Sequence, residues 1–229
     1  MEKASENKET ISFSAKVINF IQRNRMILFG ILGGIILSVI VLVVAIAIID
    51  ATKVQAIEQV ESFSERYDKI RFESDDAKKD KELSALVDEL KSFAASHSAY
   101  AGARALNILA GIYADKKEWA EAEKAWAAIV DKLPKSYLAP VALYNAATAA
   151  EDRGDFVKAI ELYTKAVDSY GDDFPLAPRA YFAIGRLQET QKNNTGAIAA
   201  YQKMVEKWPT DNWTKLAQSR ILFITANQK

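Results

Sequence analysis

The chain has 229 residues, with 30 lysines and arginines balanced by 30 aspartates and glutamates and a single histidine. A surface so evenly charged has no overall field to draw nucleic acid or an anionic membrane, which removes nucleic-acid binding from the reading. The absence of cysteine excludes disulfides, thiolate metal sites, cysteine nucleophiles and the lipidated cysteine of a bacterial lipoprotein. With only 5 prolines and 9 glycines among many Ala, Leu, Glu and Lys residues, the composition points to an all-α fold.

In chain order, residues 1–25 form a tail whose start (Glu2, Lys3, Glu6, Lys8, Glu9) is too polar to bury. Ile11, Phe13, Val17, Ile18, Phe20 and Ile21 then make a loose apolar stripe among Lys16, Arg23 and Arg25. That stripe fits either an interfacial helix or an unstructured tail. Residues 26–49, Met26 to Ile49, carry no charge. At ~1.5 Å per residue the run gives roughly 36 Å of helix, against a hydrocarbon core of about 30 Å, so it predicts one transmembrane helix. A cleaved secretory signal is the competing reading, because Ala45-Ile46-Ala47 resembles a small-x-small cleavage site. The apolar run exceeds the ~7 to 15 residues of a signal core and a long segment precedes it, which favours a retained anchor. Lys8, Lys16, Arg23 and Arg25 before the span, against Asp50, Glu58, Glu61, Glu65 and Asp68 after it, favour a cytoplasmic amino terminus with the large domain outside. The opposite orientation stays open. Gly30, Gly34 and Ser38 fall four apart within the span and form a small-residue stripe for helix contact.

Residues 50–80 are expected to be a helical stalk (Ala51 to Phe72) that doubles as the first helix of a hairpin, followed by a loop from Glu73 to Asp80. A second helix, Lys81 to Ser96, keeps the helical period through Leu83, Leu86, Val87, Leu90 and Phe93. Within 81–229 three units then align, at about 103–136, 140–173 and 178–211. Leu106, Leu109, Ala110 and Tyr113 followed by Ala122, Trp126 and Ile129 match Leu143, Ala146, Ala147 and Ala150 followed by Ala159, Tyr163 and Ala166. Tyr181, Ile184, Gly185 and Gln188 followed by Ala197, Tyr201 and Met204 repeat the offsets again. A small residue on each helix (Ala110 with Ala122, Ala147 with Ala159, Gly185 with Ala197) lets the axes approach closely, and the aromatic fills the space toward the next unit. Asp115-Lys116-Lys117, Asp152-Arg153-Gly154 and Lys192-Asn193-Asn194 are expected to turn through a left-handed residue. A last helix, residues 213–226, should cap the final unit with Leu216, Ile221, Leu222 and Ile224.

The pattern of small residues, a following aromatic and a closing proline (Pro134, Pro209) resembles the tetratricopeptide repeat. The resemblance implies a right-handed α-solenoid of helix hairpins behind one transmembrane helix, with a C-terminal capping helix. The plan as a whole is similar to the YfgM family, most closely over Leu90 to Glu123, where Phe93-Ala94-Ala95-Ser96 and Tyr100-Ala101-Gly102-Ala103 read like that family's first repeats. It extends from about Ile27 to Ile129, while the later repeats are more similar to those of CpoB and BamD. What the YfgM resemblance implies is a single-pass protein of the bacterial inner membrane with a periplasmic repeat domain, an accessory of the Sec translocon that associates with periplasmic chaperones. The CpoB likeness implies an envelope or cell-division organiser.

Catalysis finds no support in the residues. His97 stands in a turn between units with no thiol to join it, no glycine-rich phosphate loop follows a strand, and Asp172-Asp173 reads as a solvated link rather than a metal pair. Trp119, Trp126, Trp208 and Trp213 fall at core or cap spacing. The expectation is therefore a non-enzymatic scaffold with no cofactor and no metal, binding proteins or peptides in a concave groove. The positions that point inward in this repeat family are Arg104, Asn107, Tyr144, Thr148, Glu151, Arg179, Phe182, Arg186 and Glu189. Aromatic anchors alternating with arginines suit an extended or helical peptide bearing carboxylates. Of the lysine-rich carboxylate clamp of chaperone-binding repeats, only Asn107 and Arg186 have counterparts.

Overall fold

Alanine-rich amphipathic segments separated by short polar links fold into nine α-helices, with no strand among the described residues, 13–97, 100–171 and 174–227 of this computed structural model. They are α1 (Phe13–Arg71), α2 (Asp76–Ser96), α3 (Tyr100–Asp115), α4 (Trp119–Lys132), α5 (Leu138–Asp152), α6 (Phe156–Tyr170), α7 (Ala177–Thr190), α8 (Asn194–Lys207) and α9 (Asn212–Ala226). The chain divides into two units, one up to Gln55 and one from Ala56.

In the first unit, α1 is interrupted at Asn24, whose backbone (φ −110°, ψ 15°) leaves the helical region. The Asn24 side chain donates from Nδ2 to the Phe20 carbonyl at 2.9 Å and so closes the turn before it. From Met26 to Ile49 every residue but Ile27's neighbour Leu28 is exposed, and this is the one helix among the described residues long and apolar enough to cross a membrane. The start of the tail, including Lys8 and Ile11, lies outside the described residues.

The second unit is a row of antiparallel hairpins. The last part of α1 supplies the first helix: Val60, Phe63 and Ile70 are buried with Leu86, Leu90 and Phe93 of α2, and the Phe63 and Phe93 rings meet edge to face at 5.4 Å. The link between them is shorter than the apolar period implies. Asp75 accepts from the Lys78 amide at 3.1 Å and starts α2 at Asp76, since a capping carboxylate satisfies an otherwise orphaned amide. Three further hairpins, α3/α4, α5/α6 and α7/α8, bring together the paired small residues, with Ala110, Ala122, Ala147, Ala159 and Ala197 all at 0% exposure. At Gly185 the approach is so close that a Cβ would lie 2.4 Å from the Tyr201 ring. Between α2 and α3, Gly102 is pressed on the chain itself, its missing Cβ falling 1.9 Å from the His97 carbonyl oxygen.

The three hairpin turns share one geometry. Lys117, Gly154 and Lys192 take positive φ (59°, 85° and 59°) at the equivalent position. In each, the next amide reaches back across the turn, Glu118 to Tyr113 O at 2.8 Å, Asp155 to Ala150 O at 2.9 Å and Asn193 to Gln188 O at 2.9 Å, the hydrogen-bond pattern of a left-handed helix end. Asp155 and Asn193 go on to cap α6 and α8 through their side chains, whereas Glu118 makes no such bond to α4. The left-handed residue thus falls where the sequence predicts a turn, at Lys117 and Gly154 as grouped there and at Lys192 in the third.

The capping helix buries part of the face expected: Ile224 and Ile221 turn inward, whereas Leu216 and Leu222 do not. Thr214, Ala217 and Ile224 are buried and Ile221 is half-buried against α8, while Leu216 and Leu222 are 51% and 72% exposed. Residues 214, 217, 221 and 224 follow the three- and four-residue helical step, and 216 and 222 fall outside that stripe. Thr214 is tolerated in the core because its hydroxyl donates to the Trp208 carbonyl at 2.5 Å.

Candidate partner-binding face

The first helix of each hairpin carries the residues expected to line a groove, and the structure ties most of them to one another. On α3, Arg104 donates to Glu61 of α1 at 2.6 Å, and Asn107, exposed, accepts the indole N–H of Trp126 at 3.1 Å. On α5, the half-buried Tyr144 ring meets Tyr163 at 5.2 Å and Phe174 at 6.3 Å, and the Thr148 hydroxyl bridges the Tyr144 carbonyl and the Tyr163 hydroxyl, both at 3.0 Å. Glu151 closes the helix and accepts from Arg186 of α7 at 2.6 Å. On α7, the exposed Arg179 lies over the Trp213 ring, 5.6 Å from its centroid, and Phe182 packs between Tyr201 and Trp213 at 5.4 and 5.1 Å.

Glu189 is the most heavily engaged. Arg220 of α9 grips both its carboxylate oxygens, from Nε at 3.0 Å and from Nη2, and the Tyr201 hydroxyl donates to it at 2.6 Å. The Arg220 guanidinium, helped by Tyr201, holds this carboxyl below its ordinary 4.5, while burial and the neighbouring carboxylate push the Tyr201 hydroxyl well above 10. Burial does the same to Tyr163, next to Glu151.

These contacts form a ladder along the first helices: Glu61 with Arg104, Glu151 with Arg186, Glu189 with Arg220. One rung has no counterpart. At the places on α3 and α5 that align with Glu151 and Arg186 stand Ala114 and Thr148, which cannot pair by charge. Beside that gap Asn107 is exposed and Tyr144 half-exposed.

Residues 138–212 match the tetratricopeptide repeat family model. That stretch, α5 to α8, is built of tetratricopeptide-like hairpins. A "TPR repeat-containing protein" of Treponema pallidum (strain Nichols) is 37% identical over 143 residues, which cover 62% of this chain and 59% of that relative. This chain therefore spans less than two thirds of the relative's length. Among solved structures, a Podosopora anserina protein described as a kinesin light chain, with nearly identical TPR-like repeats, superposes with a TM-score of 0.52 at 13% identity, over 73% of this chain and 87% of that one. A point variant of the same protein gives a TM-score of 0.52 with 86% of its chain covered. At this identity the likeness speaks for the fold alone.

Tetratricopeptide repeats act as scaffolds for protein interaction, presenting the first helices of successive hairpins along one face. Three residues of that face are not among those the sequence places on it. Arg220 stands about 34 residues after Arg186, the uninterrupted repeat length, because no lengthened link precedes α9. Trp213 belongs to the same helix, and Glu61 lies on the part of α1 that serves as a first repeat helix. An alignment carried one unit past the C-terminal end would have found Arg220 and Trp213; Glu61 lies off the repeat spacing and only the fold brings it to Arg104.

Elsewhere, His97 ends α2, stacked on Phe93 at 3.9 Å with Nδ1 3.0 Å from both the Phe93 carbonyl and the Ser96 hydroxyl, a structural setting for the ring. No group of three or more His, Asp or Glu able to hold a metal occurs among the described residues, and Asp172 and Asp173 lie outside them. In the apolar part of α1, Gly30 and Gly34 have open space where a Cβ would go, and the Ser38 hydroxyl turns back to the Ile35 carbonyl at 2.7 Å.

Proposed function

We propose that this protein is a membrane-anchored scaffold whose tetratricopeptide repeats take up a protein segment along the first-helix face. Residues 26–49 are the anchor, with Gly30, Gly34 and Ser38 as its surface for contact with another helix. The amino terminus is cytoplasmic and the repeat domain periplasmic, in the inner membrane of a bacterium; the basic residues before the span support the orientation, and the Treponema relative supports a bacterial source and nothing finer. The observation that carries the binding role is the missing rung between α3 and α5. Along most of the face arginine and glutamate satisfy one another, which stiffens it. At Asn107 and Tyr144 the amide and aromatic groups are not locked into ion pairs and can pair with the backbone and an apolar side chain of a bound segment, while Thr148, its hydroxyl held between the Tyr144 carbonyl and the Tyr163 hydroxyl, leaves that rung uncharged. Arg179 beside Trp213 supplies a cation for an acidic residue on that segment. The partners are translocon subunits, periplasmic chaperones or secreted chains.

The test is photocrosslinking in intact cells from a reactive residue at Asn107 or Arg179, both exposed, with exposed Val157 as the control position. Adducts with secretion components from the first two positions and not from the third support the proposal. Adducts with wall-synthesis or division proteins would replace the secretion role by envelope organisation. Equal labelling from all three positions would remove the binding face altogether.

A further inference from the structure

We infer that residues 15–23 form a second membrane contact, a short helix lying in the plane of an anionic lipid surface next to the span. The inference rests on the reading that residues 26–49 cross the membrane. Helical structure begins before the apolar run, and Asn24 separates this segment from it: the backbone leaves the helical region there, and the Asn24 amide occupies the Phe20 carbonyl. A break in a helix has a local cause, and here the cause is a side chain inserted into the hydrogen-bond ladder. The segment ahead of the break is therefore free to take a direction different from that of the span.

Its side chains are sorted by face. At 3.6 residues per turn, Phe20, Val17, Ile21 and Ile18 fall within an arc of roughly 160°, and Gln22, Ala15, Asn19, Arg23 and Lys16 fill the remainder. Val17, Ile18, Phe20 and Ile21 are 39%, 54%, 60% and 49% exposed, so no other element among the described residues covers that apolar arc. The occupant follows from charge and continuity. No Asp or Glu occurs between Glu9 and Asp50, so Lys16, Arg23 and Arg25 face no acid in the sequence around them, and the span begins directly after Arg25. Apolar residues below and cations at the edge of the arc, joined to a spanning helix, match a leaflet of anionic headgroups. The arginine and lysine stems also reach the phosphate level from this position.

The chain contains no cysteine, so a single introduced cysteine is labelled uniquely. The full chain is reconstituted into vesicles of phosphatidylcholine with or without phosphatidylglycerol, and an environment-sensitive fluorophore is read at each of Lys16→Cys, Val17→Cys, Asn19→Cys, Ile21→Cys and Gln22→Cys, with Ile40→Cys reporting the span. The expected result is protection from an aqueous quencher at 17 and 21, quenching at 16, 19 and 22, and stronger protection at 17 and 21 when phosphatidylglycerol is present. Quenching at all five positions, with Ile40 protected, would mean the segment stays in water and would overturn the inference. Uniform protection at all five would mean a straight continuation of the span and would also overturn it. Quenching at Ile40 would instead refute the spanning reading itself.

Discussion

Gly185→Ala tests the central claim about packing, that the hairpins depend on one close approach per unit. An added Cβ would lie 2.4, 2.6 and 2.7 Å from three atoms of the Tyr201 ring, about 1 Å inside ordinary contact. The ring cannot swing away cheaply. Tyr201 is at 0% exposure, its hydroxyl is held by Glu189 at 2.6 Å and its face is covered by Phe182 at 5.4 Å. Overpacking of this kind costs about 2 kcal/mol. Shifting the hydroxyl off a carboxylate costs about 2 kcal/mol more. Against these stands a helix-propensity gain of about 1 kcal/mol for alanine over glycine. The balance is a destabilisation of about 3 kcal/mol. Gly111→Ala is the matched control: it lies inside α3 with nothing within 4 Å of the added Cβ, so only the propensity gain of about 1 kcal/mol remains and the variant should be more stable than the parent. Thermal unfolding of the full chain in detergent micelles, followed by circular dichroism, should move the two midpoints in opposite directions. If both substitutions shift the midpoint the same way, the close approach at Gly185 does not limit the packing.

Two further outcomes are expected. Lys117→Gly and Lys192→Gly should each raise stability by about 0.5 kcal/mol, because relief of left-handed strain outweighs the added freedom of the unfolded chain, while Gly154→Ala at the equivalent place should lower it; denaturant midpoints of the three variants check the sign. Glu189→Gln should cost about 1 kcal/mol near neutral pH, a figure reduced for the partial exposure of Arg220. Since the folded carboxyl titrates below its ordinary 4.5, this contribution is complete above that value and is lost as the pH falls through the lowered one. The stability difference between parent and variant should therefore be constant at neutral pH and close under acid conditions; a difference that widens on acidification would show that Arg220 does not set the titration.

Much of the architecture was legible in the sequence because it depends on local periodicity. The spacing of Ala110, Ala147 and Gly185 marks the helix crossings, and the uncharged run from Met26 to Ile49 marks one long apolar helix, each from neighbours within a few turns. The turns were legible for the same reason: a left-handed residue is demanded a fixed distance from each helix end. The interactions across the first-helix face were not. The pairing of Glu189 with Arg220, the skipped rung at Ala114 and Thr148, and the engagement of Arg104 by Glu61 all depend on how far each helix is slid and rotated against one that is not its sequence neighbour. A residue list could name Arg104, Glu151, Arg186 and Glu189 as inward-facing without showing that they are partners.

The amphipathic phase of α9 shows the same division. Leu216 and Leu222 are apolar enough to be core residues, yet the buried stripe runs through Thr214, Ala217 and Ile224. Composition identifies a capping helix, but only contact with α7 and α8 selects which face turns inward, because a small residue at the crossing permits close packing that a leucine there would block. By itself the sequence determined the helices, their period and their turns, since those follow from backbone propensity and the spacing of apolar side chains. The tertiary structure alone decided which charges satisfy one another and which polar groups remain open to a partner, since that depends on distances between elements that the order of residues does not specify.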